Sequence, residues 1–355
     1  RVPQGVEDGS VVVLEPINDP RWNVHGLIGV ASEQTVRDGH VSFAVINVHE
    51  HPVVVGGLTP VARFRTAAGL AEPEFSVDEV LEQIHLAPRI ANCPHRMRTV
   101  RRLFEKHLRL FSSSLKDSYT HAVEHVIDLE PGTLPHRDPP RLRRPPGEEA
   151  SLIKSATEEL EQGLASHADL DVEWGVNTIE VEKKDADGQV QEQKRNVKDF
   201  RGVNRWTKNT AWPLPDAMRC LHRMRGSWFC VLDMLAGFHQ ILMSRCSRDK
   251  TAYYTPLGLF VMNRMPFGLK GAPATFCRLI QRVLEGIDRV LSYVDDVAAG
   301  ADSFEELIHT LDQTLTRLGE ALLKLKPKKI YLGFPEIPFL GFIVGEGGHR
   351  PNPER

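Results

Sequence analysis

Two adjacent carboxylates, in Tyr293-Val294-Asp295-Asp296, constrain this chain more than any other feature. They follow the apolar run Val290-Leu291-Ser292 and fall where a β-hairpin would turn. Side chains alternate along a strand, so neighbouring aspartates face opposite ways unless a tight turn brings both to one ion. Left bare, the pair would repel by roughly 4 kcal/mol at ~4 Å and an effective dielectric of about 20, which a divalent cation would offset. Asp is also a favoured turn residue and short motifs recur by accident, so the tetrapeptide alone also reads as a solvated turn.

Upstream, Phe229-Cys230-Val231-Leu232-Asp233-Met234 sets a third carboxylate at the end of another apolar strand. Three aspartates on adjacent strand ends suit two Mg²⁺ ions about 3.5–4 Å apart, which activate an attacking oxygen and steady a leaving one in an in-line phosphoryl transfer. That is the chemistry of a polymerase.

With 355 residues and 41% hydrophobic content, the chain is long enough for two or three domains of about 100–200 residues. No apolar run approaches the ~20 residues of a membrane span, so no membrane partner is expected. The chain opens on Arg1 rather than on an initiator Met or a signal peptide, which predicts a fragment or a processed piece of a polyprotein. Five cysteines (Cys93, Cys220, Cys230, Cys246 and Cys277) without a Cys-x-x-Cys pair indicate neither a disulfide framework nor a zinc site. The formal charge of −3 is asymmetric: residues 1–80 hold five Arg, no Lys and eleven Asp/Glu, a net −6, which leaves +3 for residues 81–355. A weakly basic remainder fits a surface that tracks phosphates.

Three segments follow. Residues 1–70 read as a small β-rich module, because β-branched runs (Val11-Val12-Val13, Val41 to Val48, Val53-Val54-Val55) are broken by Gly, Pro and Asn-Asp signals. Residues 71–146 read as a helical and Pro/Arg-rich connector. Within it, Val100, Leu103, Phe104 and Leu108 recur at helical spacing and predict an amphipathic helix from Val100 to Leu110. Pro131 to Pro146, with Arg137, Arg141, Arg143 and Arg144, predicts an extended, weakly structured linker. Residues 147–355 mix helices and strands. A helix is expected from Glu148 to Gly163, with Gly163 as its stop. Val176–Lys184 and Lys194–Phe200 should pair as a hairpin across Asp185-Ala186-Asp187-Gly188.

The order of motifs resembles that of the reverse transcriptases of long-terminal-repeat retrotransposons, most closely the gypsy type. Asp199-Phe200-Arg201-Gly202-Val203-Asn204 is similar to the family's fingers segment and Trp212-Pro213-Leu214-Pro215 to its Pro-Leu-Pro signature. Leu232 to Ile241 resembles motif A; Lys250 to Tyr253 and Met265 to Phe276 resemble the approach to motif B. Tyr293 to Asp296 resembles motif C, and Phe339 to Val344 the motif E hairpin. Weaker similarity reaches back to about Leu103.

The resemblance implies an α+β fold: the right-hand palm and fingers of a reverse transcriptase, preceded by the small β-rich module, which looks like the segment after the protease in such polyproteins and carries no Asp-Thr/Ser-Gly. It implies Asp233, Asp295 and Asp296 as metal ligands, with the Met234 carbonyl, around two Mg²⁺ ions for which Mn²⁺ would also serve. Phe238 would lie beneath the incoming sugar and exclude a 2′-OH; its alternative role is core packing. Phe267 and Gly268 would approach the nucleotide, although a Gly turn before a helix is also ordinary structure. Lys183 and Arg195 would hold the triphosphate from the fingers, or be solvated hairpin charges. Lys329, or its neighbour Lys328, would be the motif D lysine that protonates pyrophosphate, unless the lysine-rich run only faces solvent or phosphate. Phe339, Leu340 and Gly341 would form the primer grip.

The implied partners are an RNA or DNA template with its primer, deoxynucleoside triphosphates, and the thumb, RNase H and integrase segments expected beyond Arg355. The implied setting is intracellular, in virus-like particles or the nucleus. Two departures bear on the fingers: no Ser-x-Ser-Pro run lies between Gly163 and Trp174, and the hairpin insert Ala186 to Gln193 is long. Two rival functions stand beside this one: a non-catalytic remnant that binds nucleic acid or assembles particles, and a template-independent or RNA-copying polymerase of the same palm class.

Overall fold

In a computed structural model of the chain, the apolar run Trp228–Asp233 becomes the central strand of a five-stranded sheet. The structure describes residues 73–353 except 117, 142, 185–189, 211, 213–215, 294 and 295, and for 182–195 the backbone alone. Before residue 73 it describes the backbone of five strands, Val11–Pro16, Leu27–Gly29, Ser32–Thr35, Val45–Asn47 and Ala62–Thr66. Val11–Pro16 pairs antiparallel with both Ser32–Thr35 and Ala62–Thr66, as β-branched runs between turn signals predict.

The strand order of the central sheet is Val290–Tyr293, Asp296–Ala301, Trp228–Asp233, Tyr331–Phe334 and His85–Leu86. All its pairs are antiparallel except the last, which is parallel. Because side chains alternate, the central strand feeds two cores. Trp228, Cys230 and Leu232 enter the larger one, with Phe276 and Ile280 of helix Ala272–Val283 and Leu307, Leu311 and Leu315 of helix Phe304–Glu320. Phe229 and Val231 enter the smaller one, with Leu221 of helix Ala217–Arg223, Met224 just after that helix, and Ile337, Phe339 and Val344. A strand buried on both faces reads in sequence as an unbroken apolar run, which is why it was visible.

The helix Phe304–Glu320 starts where Ser303 accepts a hydrogen bond from the Glu306 N–H and Glu305 and Glu306 meet the positive helix end. Its buried Phe304, Leu307, Leu311, Leu315 and Leu318 follow the helical period and share the larger core with the small residues Ala299 and Ala301. Gly300 has no room for more: a Cβ there would lie 2.5 Å from the Arg225 carbonyl oxygen.

Residues 77–129, expected as a connector, contribute Val80, Ile90, Val100, Phe104, Leu110 and Ile127 to the larger core. The amphipathic helix forms over Pro94–Lys106, earlier than expected because Pro94 can start a helix at its first position. The helix Pro146–Glu161 likewise begins two residues before Glu148. It ends as expected: Gly163 adopts φ +68°, and the Leu164 N–H closes on the Glu159 carbonyl at 2.8 Å.

The Pro/Arg-rich segment is extended but not weakly structured, which corrects the expectation. Asp138 N–H donates to Gly175 O at 2.8 Å, Asn177 Nδ2 to Pro139 O at 2.9 Å, and Arg137 Nε to Tyr254 OH at 3.0 Å. An extended chain with few of its own bonds takes partners from the surface it crosses.

The fingers hairpin pairs Thr178–Lys184 with Val190–Lys198, so the second strand begins four residues before Lys194. Val190 to Gln193, expected as part of a long insert, are strand; their polar sequence hid the period-two pattern. The turn Asp185 to Gly188 and the Pro213-Leu214-Pro215 signature lie outside the described residues.

Candidate functional site

The register of the central sheet brings the carboxylate-bearing strand ends together. Asp233 is the cross-strand partner of Asp296, and Asp296 is in turn the partner of Tyr293 on the neighbouring strand. Both aspartates line a cleft of about 670 Å³ whose other walls include Lys329, Leu340 and Gly341. The second motif carboxylate, Asp295, lies outside the described residues.

Across this cleft Lys329 Nζ donates to Asp233 Oδ2 at 2.8 Å. The sequence left Lys328 and Lys329 as alternatives; the structure turns Lys329 to the carboxylate, whereas the Lys328 carbonyl lies 3.2 Å from His85 Nε2. Backbone bonds set this pairing. The Lys326 N–H donates to the Asp233 carbonyl and the Leu235 N–H to the Lys324 carbonyl, each at 3.0 Å, flanking a bridge between Met234 and Leu325. Those two bonds use the Asp233 carbonyl and the Leu235 N–H, not the Met234 carbonyl.

Beyond Asp233 the chain turns through Ala236 at φ 43° into a single turn, Gly237–Gln240. This turn buries Phe238, which is 7% exposed. Its ring lies 5.1 Å from that of Phe267 and 5.6 Å from that of Phe276, so Phe238 has the packing role weighed for it and also stands beside the motif B loop. Phe267 itself is 49% exposed and offers a face to the surface. His239 backs Phe267 edge-on at 5.2 Å, and burial holds its imidazole neutral by pushing its pKa to about 4.

Gly268 sits at φ +91°, a conformation that favours glycine. The Asn204 carboxamide holds this loop at both of its ends, donating to the Gly268 carbonyl at 2.7 Å and accepting from the Lys270 N–H at 2.9 Å. Sequence reasoning placed Asn204 in a motif but gave it no role. Gln240 was also missed; its amide ties the nearby Leu235 carbonyl to the distant Lys324. A buried amide inside an apolar-to-polar run is the signal that would have found it, since such a group must be satisfied by partners.

Leu340 and Gly341, at φ 55° and 80°, form the two-residue turn between strands Glu336–Phe339 and Phe342–Gly345. Positive φ at both positions is the geometry that matches strand twist in a tight hairpin. Of the three residues expected as a primer grip, Phe339 is buried in the smaller core, and all three, Phe339, Leu340 and Gly341, line the cleft. In the fingers, Arg195 pairs through its backbone with Val181 and Lys183 with Gln191; their side chains lie outside the described residues.

Residues 181–344 match the family described as "Reverse transcriptase (RNA-dependent DNA polymerase)". The chain is 32% identical over 245 residues to the retrovirus-related Pol polyprotein from transposon 297 of Drosophila melanogaster, an alignment that covers 67% of this chain and 22% of that protein. It is 32% identical over 178 residues to the Pol polyprotein from transposon gypsy of the same fly, covering 49% of this chain and 17% of the relative. The chain therefore spans about a fifth of the length of these relatives. Among solved structures, a foamy viral protease-reverse transcriptase in complex with dsDNA superposes with a TM-score of 0.66 at 20% identity, covering 79% of this chain and 57% of that one. The same score, at 17% identity, relates it to a foamy viral protease-reverse transcriptase in complex with an RNA/DNA hybrid, covering 92% and 43%. These likenesses fix the fold as that of a palm and fingers.

Proposed function

We infer the chemistry of the cleft from one premise: through residues 181–344 this chain belongs to the reverse transcriptase family. We propose that it is the RNA-directed DNA polymerase part of a long-terminal-repeat retrotransposon polyprotein, adding deoxynucleotides to a primer 3′-OH on an RNA or DNA template. The observation that carries the reading is the convergence of Asp233, Asp296 and Lys329 on one cleft from three separate segments.

Mg²⁺ fits this donor set. Asp233 and Asp296 are hard oxygen donors on adjacent strand ends, and the Lys329 ammonium already stands as a cation against Asp233. Asp295 and the Met234 carbonyl would join them in holding two ions, and Mn²⁺ would be tolerated by the same oxygens. When bound, the metal pair supplies activation of the attacking oxygen and charge neutralisation on the triphosphate.

The chain's own residues do the rest. Lys329, carried toward the phosphates, delivers a proton to the leaving pyrophosphate, a contribution of roughly 10²–10⁴ in rate. Phe238, braced by Phe267 and Phe276, limits the room beneath the sugar, and Phe267 and Gly268 border the nucleotide. Arg195 and Lys183 grip the triphosphate from the fingers. Leu340 and Gly341, anchored by Phe339, hold the primer terminus, because reactivity collapses when reacting atoms are misplaced by about an ångström. The test is extension of a DNA primer on an RNA template. Extension that needs Mg²⁺, stops with chelator and prefers dNTPs is expected; none under any divalent cation would overturn the reading.

A further inference from the structure

We propose that Gln240 is a positioning residue for this chemistry: its side-chain amide locks the segment Lys324 to Lys329 onto the strand end that bears Asp233. The proposal rests on the reading of Lys329 given above.

Gln240 is fully buried. Its Nε2 donates to the Leu235 carbonyl at 2.7 Å and to the Lys324 carbonyl at 3.0 Å, while its Oε1 accepts from the Lys324 N–H at 2.6 Å. One amide thus joins the turn after Asp233 to a residue 84 positions away in the chain. The bonds run side by side with those from Leu235 N–H to Lys324 O and from Lys326 N–H to Asp233 O, so the amide extends a short backbone ladder by one rung. Five residues beyond Lys324, the same segment delivers Lys329 to Asp233 at 2.8 Å.

The far side of Lys324 is fixed independently. Its ammonium bonds the Arg109 carbonyl, and the Leu325 N–H donates to the Leu110 carbonyl at 2.8 Å. The segment is therefore gripped on two sides, and Gln240 supplies the grip that faces the carboxylate. A buried amide must find partners somewhere, but a merely satisfied amide could take them all from its own turn. Gln240 spends its acceptor and one donor contact on Lys324, across the gap between the two segments. Because proton delivery depends on distance and angle, loosening this register should slow the chemical step more than nucleotide binding.

The experiment uses the full 355-residue chain and single-turnover incorporation of one matched dNTP on a primer–template. Gln240→Met keeps length and volume but has no strong donor or acceptor. It should lower the maximal rate at least about tenfold and leave the apparent KM for dNTP within about twofold. In a Lys329→Met background the same change should cost less than about twofold further, because the residue it positions is gone. In the free protein, amide exchange at Lys324 should quicken. If Gln240→Met is not recovered folded, Gln240→Asn, whose amide is too short to span both segments, carries the same comparison. Losses that multiply independently in the double variant, or unchanged exchange at Lys324, overturn the proposal. A Lys329→Met variant as fast as wild type would instead remove the reading of Lys329; quickened exchange at Lys324 would then still support the lock, and unchanged exchange would overturn it.

Discussion

Replacing Phe238 by Val separates the two roles that the residue combines. The ring is 7% exposed and packs on Phe267 at 5.1 Å and Phe276 at 5.6 Å between ring centroids. Val has about four fewer carbons, which at ~0.8 kcal/mol each forfeits about 3 kcal/mol of burial, and the two lost ring pairs add to this. The variant should therefore be less stable and less active in general, whatever the ring does to the sugar. The informative quantity is a ratio: kcat/KM for a matched dNTP divided by that for the matching rNTP, measured in single-nucleotide incorporation by both proteins. Loss of folded enzyme cancels in the quotient. If the ring closes the space beneath the sugar, the ratio falls at least about tenfold, equivalent to about 1.4 kcal/mol of discrimination. A ratio equal to that of the wild type, in a variant shown to be folded, would reduce Phe238 to core packing and leave sugar choice to other residues.

Lys329→Met should lower the single-turnover rate by roughly 10²–10⁴. It should barely move the melting temperature, because an ion pair whose lysine is 57% exposed contributes at most about 1 kcal/mol; an unchanged rate would return this lysine to a solvent-facing role. Stability should also depend on acid. Burial pushes His125 and His239 to about 4 from 6.5, so on acidification the unfolded chain gains these protons before the folded one does. Their contribution is complete above about pH 6.5 and is lost as pH falls toward 4, which urea midpoints across that range would register; midpoints flat over that window would contradict the burial of neutral imidazoles.

Much of this site was legible because its strands are largely apolar runs that stop at or just before carboxylates. Trp228–Asp233 and Val290–Tyr293 appear in the sequence as runs that stop at the cleft, and the helix-ending Gly163 and hairpin-turning Leu340-Gly341 carry local backbone signals. The two-residue strand His85–Leu86 is too short to show a period, so the entry of residues 77–129 into the palm core had no sequence signature. Nor could spacing say which lysine of Lys324 to Lys329 meets Asp233, since that pairing is fixed by tertiary bonds across 96 residues. Asn204 and Gln240 were hidden for a related reason. A carboxamide says that it needs partners, but only the fold says which segments it ties together.

Asp233 and Asp296, cross-strand partners at the ends of adjacent strands, are proposed to hold, together with Asp295, the metal that drives nucleotide addition. Substituting Asp233→Asn, Asp295→Asn and Asp296→Asn singly, and following RNA-templated primer extension in Mg²⁺ beside thermal melting, tests this role most directly. Asn keeps the shape and removes the charge, and losing such a stabiliser costs at least ~10²–10³ in rate. Asp233→Asn and Asp295→Asn are expected to fall below detection while folding and primer–template binding persist, with Asp296→Asn also strongly impaired. Near wild-type extension by Asp233→Asn or Asp295→Asn would contradict that role.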